Sequence, residues 1–313
     1  MVLFWVAVFL VTLALLVKGA DIFLNKAEKI GYSLGISPFI VGVAIIGFGT
    51  SLPELVSSIA GVMQGAPEIV MANVVGSNIA NILLIIGISA MIARKLVVTK
   101  DIIDLDLPLL GLTTALLIGV AYDRVVTVPE SILLLIAYGI YFWYIVTDKA
   151  EEKEEEIEDA QLRKKVKSSD IAVLIGGLVL LVVSAKYLIE AVIALSAIFN
   201  IGTGIIAITV VAIGTSLPEL IVAIKAALQK KSDVAIGNIV GSNIFNGLFV
   251  VGIPGIFGAL PVDSKTATIG LIGLAVATLL LIISGISRRL YGWEGAFYVM
   301  LYVLFTAKLL ELF

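Results

Sequence analysis

GTSLPEL at residues 49–55 stands again, letter for letter, at 214–220, and GSNIANI at 76–82 returns as GSNIFNG at 241–247. Both pairs are offset by 165 residues, and residues 49–87 match 214–252 without a gap at 18 of 39 positions. The chain is therefore an internal duplication, with weaker similarity reaching back toward the first apolar segment of each half. Each copy sets a proline immediately before a glutamate. Proline has no N–H, and its ring collides with the carbonyl four residues back. Pro53 thus deprives the Gly49 carbonyl of its helical partner, and Pro218 does the same to Gly214. Leu52 and Leu217, each preceding a proline, are also biased away from helical geometry. A broken or kinked turn is expected across 49–53 and 214–218.

These motifs sit in a very apolar chain. Of its 313 residues 60% are hydrophobic and 14% charged, against roughly 25% charged in a globular domain, and the mean hydropathy is +1.13. Apolar stretches of about 18 residues or more can cross a ~30 Å hydrocarbon core as helices. Such spans are expected near 2–17, 38–64, 69–92, 105–121, 127–147, 170–197, 203–229, 233–257, 264–284 and 292–311, which makes a multi-pass membrane protein. The first span has no basic leader and no small-residue cleavage site, so it reads as a retained helix. There is no cysteine and no histidine. Disulfides, thiolate or imidazole metal ligands and histidine-dependent catalysis are excluded, and any metal must be held by oxygen.

Between the halves lies one long hydrophilic segment, with an acidic run (Glu151, Glu152, Glu154, Glu155, Glu156) followed by a basic one (Arg163, Lys164, Lys165, Lys167). It reads as a solvated tether dividing the chain into a first repeat at 1–147, a linker at 148–169 and a second repeat at 170–313. Lys and Arg are enriched in cytoplasmic loops, which places the linker in the cytoplasm. Alternate loops share its excess: Lys26 and Lys29; Arg94, Lys95 and Lys100; Lys230 and Lys231; Arg288 and Arg289. The opposite loops carry only Arg124 and Lys265, so both termini are expected outside the cell. Five helices per repeat is an odd number, and the second copy must enter the membrane in the opposite sense. The expected fold is an all-α integral membrane protein of ten transmembrane helices in two inverted five-helix repeats, with broken helices at an ion site. That architecture is the hallmark of secondary transporters, whose substrate sits at the repeat interface.

Glu54 and Glu219 follow the two breaks near the middle of apolar spans, where a charge costs at least ~2.5 kcal/mol. A bare carboxylate there calls for a cation. A protonated acid bonded to a neighbouring hydroxyl is the other reading, disfavoured by two symmetric copies. Asn73, Ser77 and Asn81 are spaced i, i+4, i+8, as are Asn238, Ser242 and Asn246, so each trio lies along one helix face. Interhelical hydrogen bonding beside the small Gly76 and Gly241 competes with ion contact, chiefly at Asn73 and Asn238. Ser77, Asn81, Ser242 and Asn246 read as ion contacts. With the hydroxyls of Thr50, Ser51, Thr215 and Ser216 and the freed carbonyls, every donor is a hard oxygen. Ca²⁺ takes about six to eight oxygens in flexible geometry, and two glutamates match its charge. Lys186 and Lys225 have no like-charged counterpart in the other copy and read as snorkelling side chains. Glu68 and Asp233 do correspond, but each opens a helix, where an acid complements the dipole; they stand as candidates for an entry funnel.

The paired G-T-S-L-P-E and G-S-N-I-x-N segments resemble the alpha repeats of the cation/Ca²⁺ exchanger superfamily, and the short linker resembles that of its archaeal and bacterial sodium/calcium exchanger-like members. The resemblance covers nearly the whole chain. It implies that Glu54 and Glu219 coordinate Ca²⁺ with the backbone carbonyls of Thr50 and Thr215. It also implies sodium sites, drawing on Ser51, Ser77 and the carbonyl of Gly47 on one side and on Ser216, Thr215, Ser242 and the carbonyl of Ala212 on the other. Asn81 and Asn246 would lie centrally, and the first and sixth helices would slide against the rest. Many sodium/calcium and potassium-dependent members carry an aspartate where this chain has Asn246, so the central site here holds at most two negative charges. The proton/calcium branch typically shows glutamine-bearing motifs, which ranks Na⁺ above H⁺ as the driving ion. The implied activity is antiport of Ca²⁺ against Na⁺, with a proton-coupled divalent antiporter as the alternative and a cation channel or an intramembrane enzyme behind it. Neither a cofactor nor a protein or nucleic-acid partner is implied.

Overall fold

The computed structural model describes residues 1–33, 49–99, 102–151 and 166–312. Within them the chain forms a helical bundle: α1 (Val2–Ser33), α2 (Leu52–Met63), α3 (Glu68–Ala93), α4 (Ile102–Val120), α5 (Val128–Glu151), α6 (Ser168–Phe199), α7 (Thr203–Thr215), α8 (Leu217–Leu228), α9 (Ser232–Gly255), α10 (Thr266–Ile286) and α11 (Gly292–Leu309). Seven of these are long and apolar enough to cross a membrane, or eight if the bent pair α7 and α8 counts as one span. Ten were expected. Part of the 38–64 span lies outside the described residues, leaving only the short α2 of that segment. Helix α11 forms where expected, but Trp293, Tyr298, Tyr302 and the terminal Glu294 and Lys308 dilute its hydropathy.

The first expected span is corrected at its C-terminal end. Helix α1 does not stop near residue 17 but runs on to Ser33, because no proline interrupts residues 18–33. Lys26 and Lys29 therefore ride on a helix, not in a loop. Their ammonium groups meet Asp170, in the first turn of α6, at 2.9 and 2.5 Å, and the same carboxylate accepts the Lys167 backbone N–H at 3.0 Å. Higher up, α1 and α6 touch backbone to backbone. A Cβ on Gly19 would lie 2.8 Å from the Leu181 nitrogen, and one on Gly177 would lie 2.9 Å from the Phe23 nitrogen. Small residues permit such close approach where lipid offers no hydrophobic drive between helices. The linker boundaries also move slightly: α5 extends to Glu151 and α6 begins at Ser168, while residues 152–165 lie outside the described set.

Burial sorts the helices by place. Helix α3 is 94% buried and α9 72%, whereas α1 and α6 are each only 28% buried. A helix apolar all round belongs in the interior, and α3 accordingly packs against α2, α7, α8, α10 and α11. The outward faces of α1 and α6 carry Leu10, Leu15, Ile175, Val179 and Val182, a surface suited to acyl chains.

Two short antiparallel ribbons, not foreseen in the sequence, join loops from the two halves: β1 (Lys95–Val97) pairs with β4 (Arg289–Tyr291), and β2 (Val125–Val126) with β3 (Leu260–Pro261). Their buried pairs, Leu96 opposite Leu290 and Val126 opposite Leu260, close the bundle. Each ribbon is only two or three residues long, too short for any alternating pattern to register.

Candidate functional site

Both proline motifs build the same junction. Ser51 (φ −89°, ψ 11°) leads into α2 and Ser216 (φ −82°, ψ 10°) into α8, with Pro53 and Pro218 in the first helical turn. There proline's missing N–H is one the helix would leave unpaired anyway. Before Ser51 the chain makes a 3₁₀ turn, Gly49–Ser51. At Ser216 the axes of α7 and α8 differ by 43°. The expected break is thus present at the second motif, and the described part of the first has matching geometry.

The break faces the two glutamates into each other's motif. Ser51 Oγ donates to Glu219 Oε1 at 2.9 Å, and Ser216 Oγ donates to Glu54 Oε1 at 3.0 Å. Each carboxylate is therefore oriented by the hydroxyl of the other copy. Both are fully buried. Ser77 Oγ lies 3.4 Å from Glu54 Oε1 and equally 3.4 Å from the Ala212 carbonyl, which also receives Thr215 Oγ1 at 3.3 Å. Thr50 Oγ1 and Ser242 Oγ are 3.4 Å apart. Glu54, Glu219, Thr50, Thr215, Ser51, Ser216, Ser77, Ser242, Asn81, Asn246 and Ala212 are all buried, and these contacts gather most of them; Gly47 lies outside the described residues.

Two asparagines that the helical spacing passed over, Asn78 and Asn243, complete the arrangement. Asn78 Nδ2 donates to the Asn243 backbone carbonyl at 3.0 Å, and Asn243 Nδ2 returns the bond to the Asn78 carbonyl at 3.1 Å. Their side-chain oxygens then accept from Asn246 Nδ2 at 3.1 Å and from Asn81 Nδ2 at 2.9 Å. Asn78 and Asn243 stand one residue off the expected stripe, and the available signal was their identity in both copies. Within this arrangement four buried oxygens have no donor among the described residues: Glu54 Oε2, Glu219 Oε2, Asn81 Oδ1 and Asn246 Oδ1. Chemically the set can offer two anionic and two neutral oxygens, with hydroxyls beside them, to a hard cation. Among the described residues no three His, Cys, Asp or Glu side chains gather, so the neutral oxygens make up the rest of the set.

Asn81 and Asn246 each fall in the first turn of a π-helical stretch, Ala80–Ile86 and Asn246–Val250, and a third such stretch, Ala207–Val211, precedes Ala212. π turns appear frequently at functional sites. No composition signal announces them here. Asn73 follows its bonding alternative, with Nδ2 3.4 and 3.5 Å from the hydroxyls of Ser57 and Ser58. Glu68 accepts from Thr203 at the start of α7. Lys186 is exposed and 3.9 Å from Glu190, as a snorkelling side chain would be. A separate apolar cavity of about 460 Å³ lies among α1, α2, α5 and α9, lined by Phe23, Leu24, Leu52, Tyr138, Phe142 and Phe249. It has no oxygen set and is not the ion site.

A buried, duplicated oxygen cage between proline-broken helices defines a membrane cation-handling protein. The chain belongs to the sodium/calcium exchanger protein family, whose model matches residues 4–147 and 169–310. It is 32% identical to the sodium/calcium exchanger MaX1 of Methanosarcina acetivorans across 96% of this chain and 97% of that one. It is 33% identical to the putative antiporter CaxA of Alkalimonas amylolytica across 94% and 95%. A solved structure of the sodium-calcium exchanger NCX_Mj, soaked with Na⁺ and Sr²⁺, matches with a TM-score of 0.67 and 29% identity over 97% of this chain and 98% of that one.

Proposed function

We propose that this chain is a secondary active antiporter that exchanges Ca²⁺ for Na⁺ by alternating access. The observation that carries the reading is the set of four buried, donorless oxygens on Glu54, Glu219, Asn81 and Asn246. Leaving one buried acceptor unsatisfied costs about 1–3 kcal/mol, more when it is charged, and a bound cation is the partner that such oxygens lack. Two carboxylates balance one Ca²⁺, and the hydroxyls of Ser51, Ser77, Ser216 and Ser242 with the carbonyls of Thr50, Thr215 and Ala212 supply further oxygens for it or for Na⁺. A shared set makes the ions compete. With both carboxylates uncompensated, the empty carrier is held back from reorienting by the cost of a buried unpaired charge, and exchange is favoured over leak.

We assign the chain ten transmembrane helices in two inverted repeats, 1–147 and 170–313, joined by a cytoplasmic linker at 148–169, with both termini outside. The reciprocal Ser51–Glu219 and Ser216–Glu54 bonds support the pseudo-symmetry. The ribbons support the sidedness: one joins the Arg94/Lys95 loop to the Arg288/Arg289 loop, and the other joins the loops of Arg124 and Lys265.

The test is Ca²⁺ uptake into proteoliposomes preloaded with Na⁺, K⁺ or a proton gradient, with Glu54→Gln and Glu219→Gln as controls. Uptake driven only by internal Na⁺ and lost in both variants is the expected result. Proton-driven uptake would reassign the coupling ion, and uptake needing no counter-ion would replace the antiporter with a channel.

A further inference from the structure

The four asparagines form a lattice whose orientation is set by chemistry. A backbone carbonyl can only accept, so the side-chain atom that Asn78 places 3.0 Å from the Asn243 carbonyl must be its Nδ2. Its Oδ1 then faces Asn246 and can only accept, which obliges Asn246 to present Nδ2 there, at 3.1 Å. The Oδ1 of Asn246 is thereby turned away from the lattice, and it is one of the donorless oxygens. The same chain of constraint runs from the Asn78 carbonyl through Asn243, whose Oδ1 takes Asn81 Nδ2 at 2.9 Å, to the donorless Oδ1 of Asn81. All four residues are buried.

We propose that Asn78 and Asn243 are positioning residues that aim the carbonyl oxygens of Asn246 and Asn81 at the transported cation. The proposal rests on the reading of Asn81 and Asn246 as ion ligands. Its content is that neither Asn78 nor Asn243 touches the ion. Each locks the amide of a ligand from the other repeat, as an outer-shell partner locks a metal-ligating side chain. Without that lock, Asn246 or Asn81 can rotate its amide and present N–H donors to a cation. The lattice also gives a reason for asparagine at 246. An ionised aspartate there has no donor for Asn78 Oδ1 and would set two oxygens against each other.

The test is a double-mutant cycle on Ca²⁺ affinity, measured by calorimetric titration of the purified full chain. The first cycle pairs Asn78→Leu with Asn246→Ala, and the second pairs Asn243→Leu with Asn81→Ala. Asn78→Ser, shorter and less apt to disturb folding, is carried beside Asn78→Leu. Outer-shell substitutions typically weaken metal affinity by roughly 10–100-fold, and that is the loss expected for Asn78→Leu and Asn243→Leu. Each double variant should be no weaker than its alanine parent, because the lock has nothing left to aim. Multiplied losses in the double variants, or unchanged Ca²⁺ affinity in Asn78→Leu and Asn78→Ser, would overturn the proposal, as would a wild-type chain that binds no Ca²⁺. In uptake assays a positioning role raises the KM for Ca²⁺, whereas a merely structural role lowers Vmax by shrinking the folded fraction at constant KM. Loss of counter-ion coupling with the binding cycles intact would count against the antiport reading alone.

Discussion

Adding one methyl group at Gly76 presses directly on the candidate site. A Cβ there would stand 2.3 Å from the carbonyl oxygen of Ile208 and 2.8 Å from the Cβ of Ala212, both on α7. An unstrained carbon-to-carbonyl contact needs about 3.3 Å, so α7 must retreat from α3 by ~1 Å, and a backbone carbonyl cannot swing aside as a side chain could. Overpacking of this kind costs about 1–3 kcal/mol, and the better helix propensity of alanine returns up to about 1 kcal/mol. With the full return the net centres on about 1 kcal/mol, roughly a fivefold change in an equilibrium constant. It falls on the site because the moving segment carries the Ala212 carbonyl, which Ser77 reaches across the α3–α7 contact at 3.4 Å. Gly76→Ala should therefore raise the KM for Ca²⁺ in reconstituted uptake and lower the thermal midpoint in detergent. Gly139→Ala is the matched control, since that glycine is exposed on α5 and a Cβ there meets nothing within 4 Å. A Gly76→Ala protein with wild-type KM and wild-type midpoint would refute the reasoning.

Glu54→Gln and Glu219→Gln should each abolish Ca²⁺ uptake while leaving a folded, monodisperse protein; retention of uptake in either variant would remove that carboxylate from the site. Ser51→Ala and Ser216→Ala each delete a hydrogen bond to a carboxylate, worth about 1.5–3 kcal/mol. Both should raise the KM for Ca²⁺ by tenfold or more, and an effect on Vmax alone would argue against orientation of the glutamates. Asp170→Asn should lower thermal stability by releasing Lys26 and Lys29 from α6. Because those lysine side chains are 30% and 29% exposed, the loss should shrink in molar salt as screening replaces the partner. A loss independent of salt would mean that Asp170 acts by capping α6 through the Lys167 N–H instead.

The parts of the site that could be read in the sequence were those that duplication repeated and physics constrained. Pro53 and Pro218 announced the broken helices, because a residue without an N–H must start a helix or interrupt one. Glu54 and Glu219 stood out because a carboxylate in an apolar span needs a partner. Asn78 and Asn243 escaped because a helical stripe was drawn through Asn73, Ser77 and Asn81, while the side chains one position away turn toward the other repeat. The π turns at Ala80–Ile86 and Asn246–Val250 shift the register of facing residues without any residue type that marks them. The reach of α1 to Ser33 was hidden by its charges. Lys26 and Lys29 look like loop residues until Asp170, 144 and 141 positions away, is folded against them.

The bonds across the repeats make the candidate site depend on both halves of the chain. Within one copy Glu54 lacks the Ser216 hydroxyl that orients it, and Asn81 lacks the Asn243 oxygen that holds its amide. The site is thus an interface property. For an alternating carrier this has a mechanical consequence. In the proposed carrier, opening the interface on one side would separate some of these cross-repeat bonds while their equivalents in the other copy stay in place. Ser51–Glu219 and Ser216–Glu54 are such a pair, equivalent in chemistry and nearly equal in length at 2.9 and 3.0 Å.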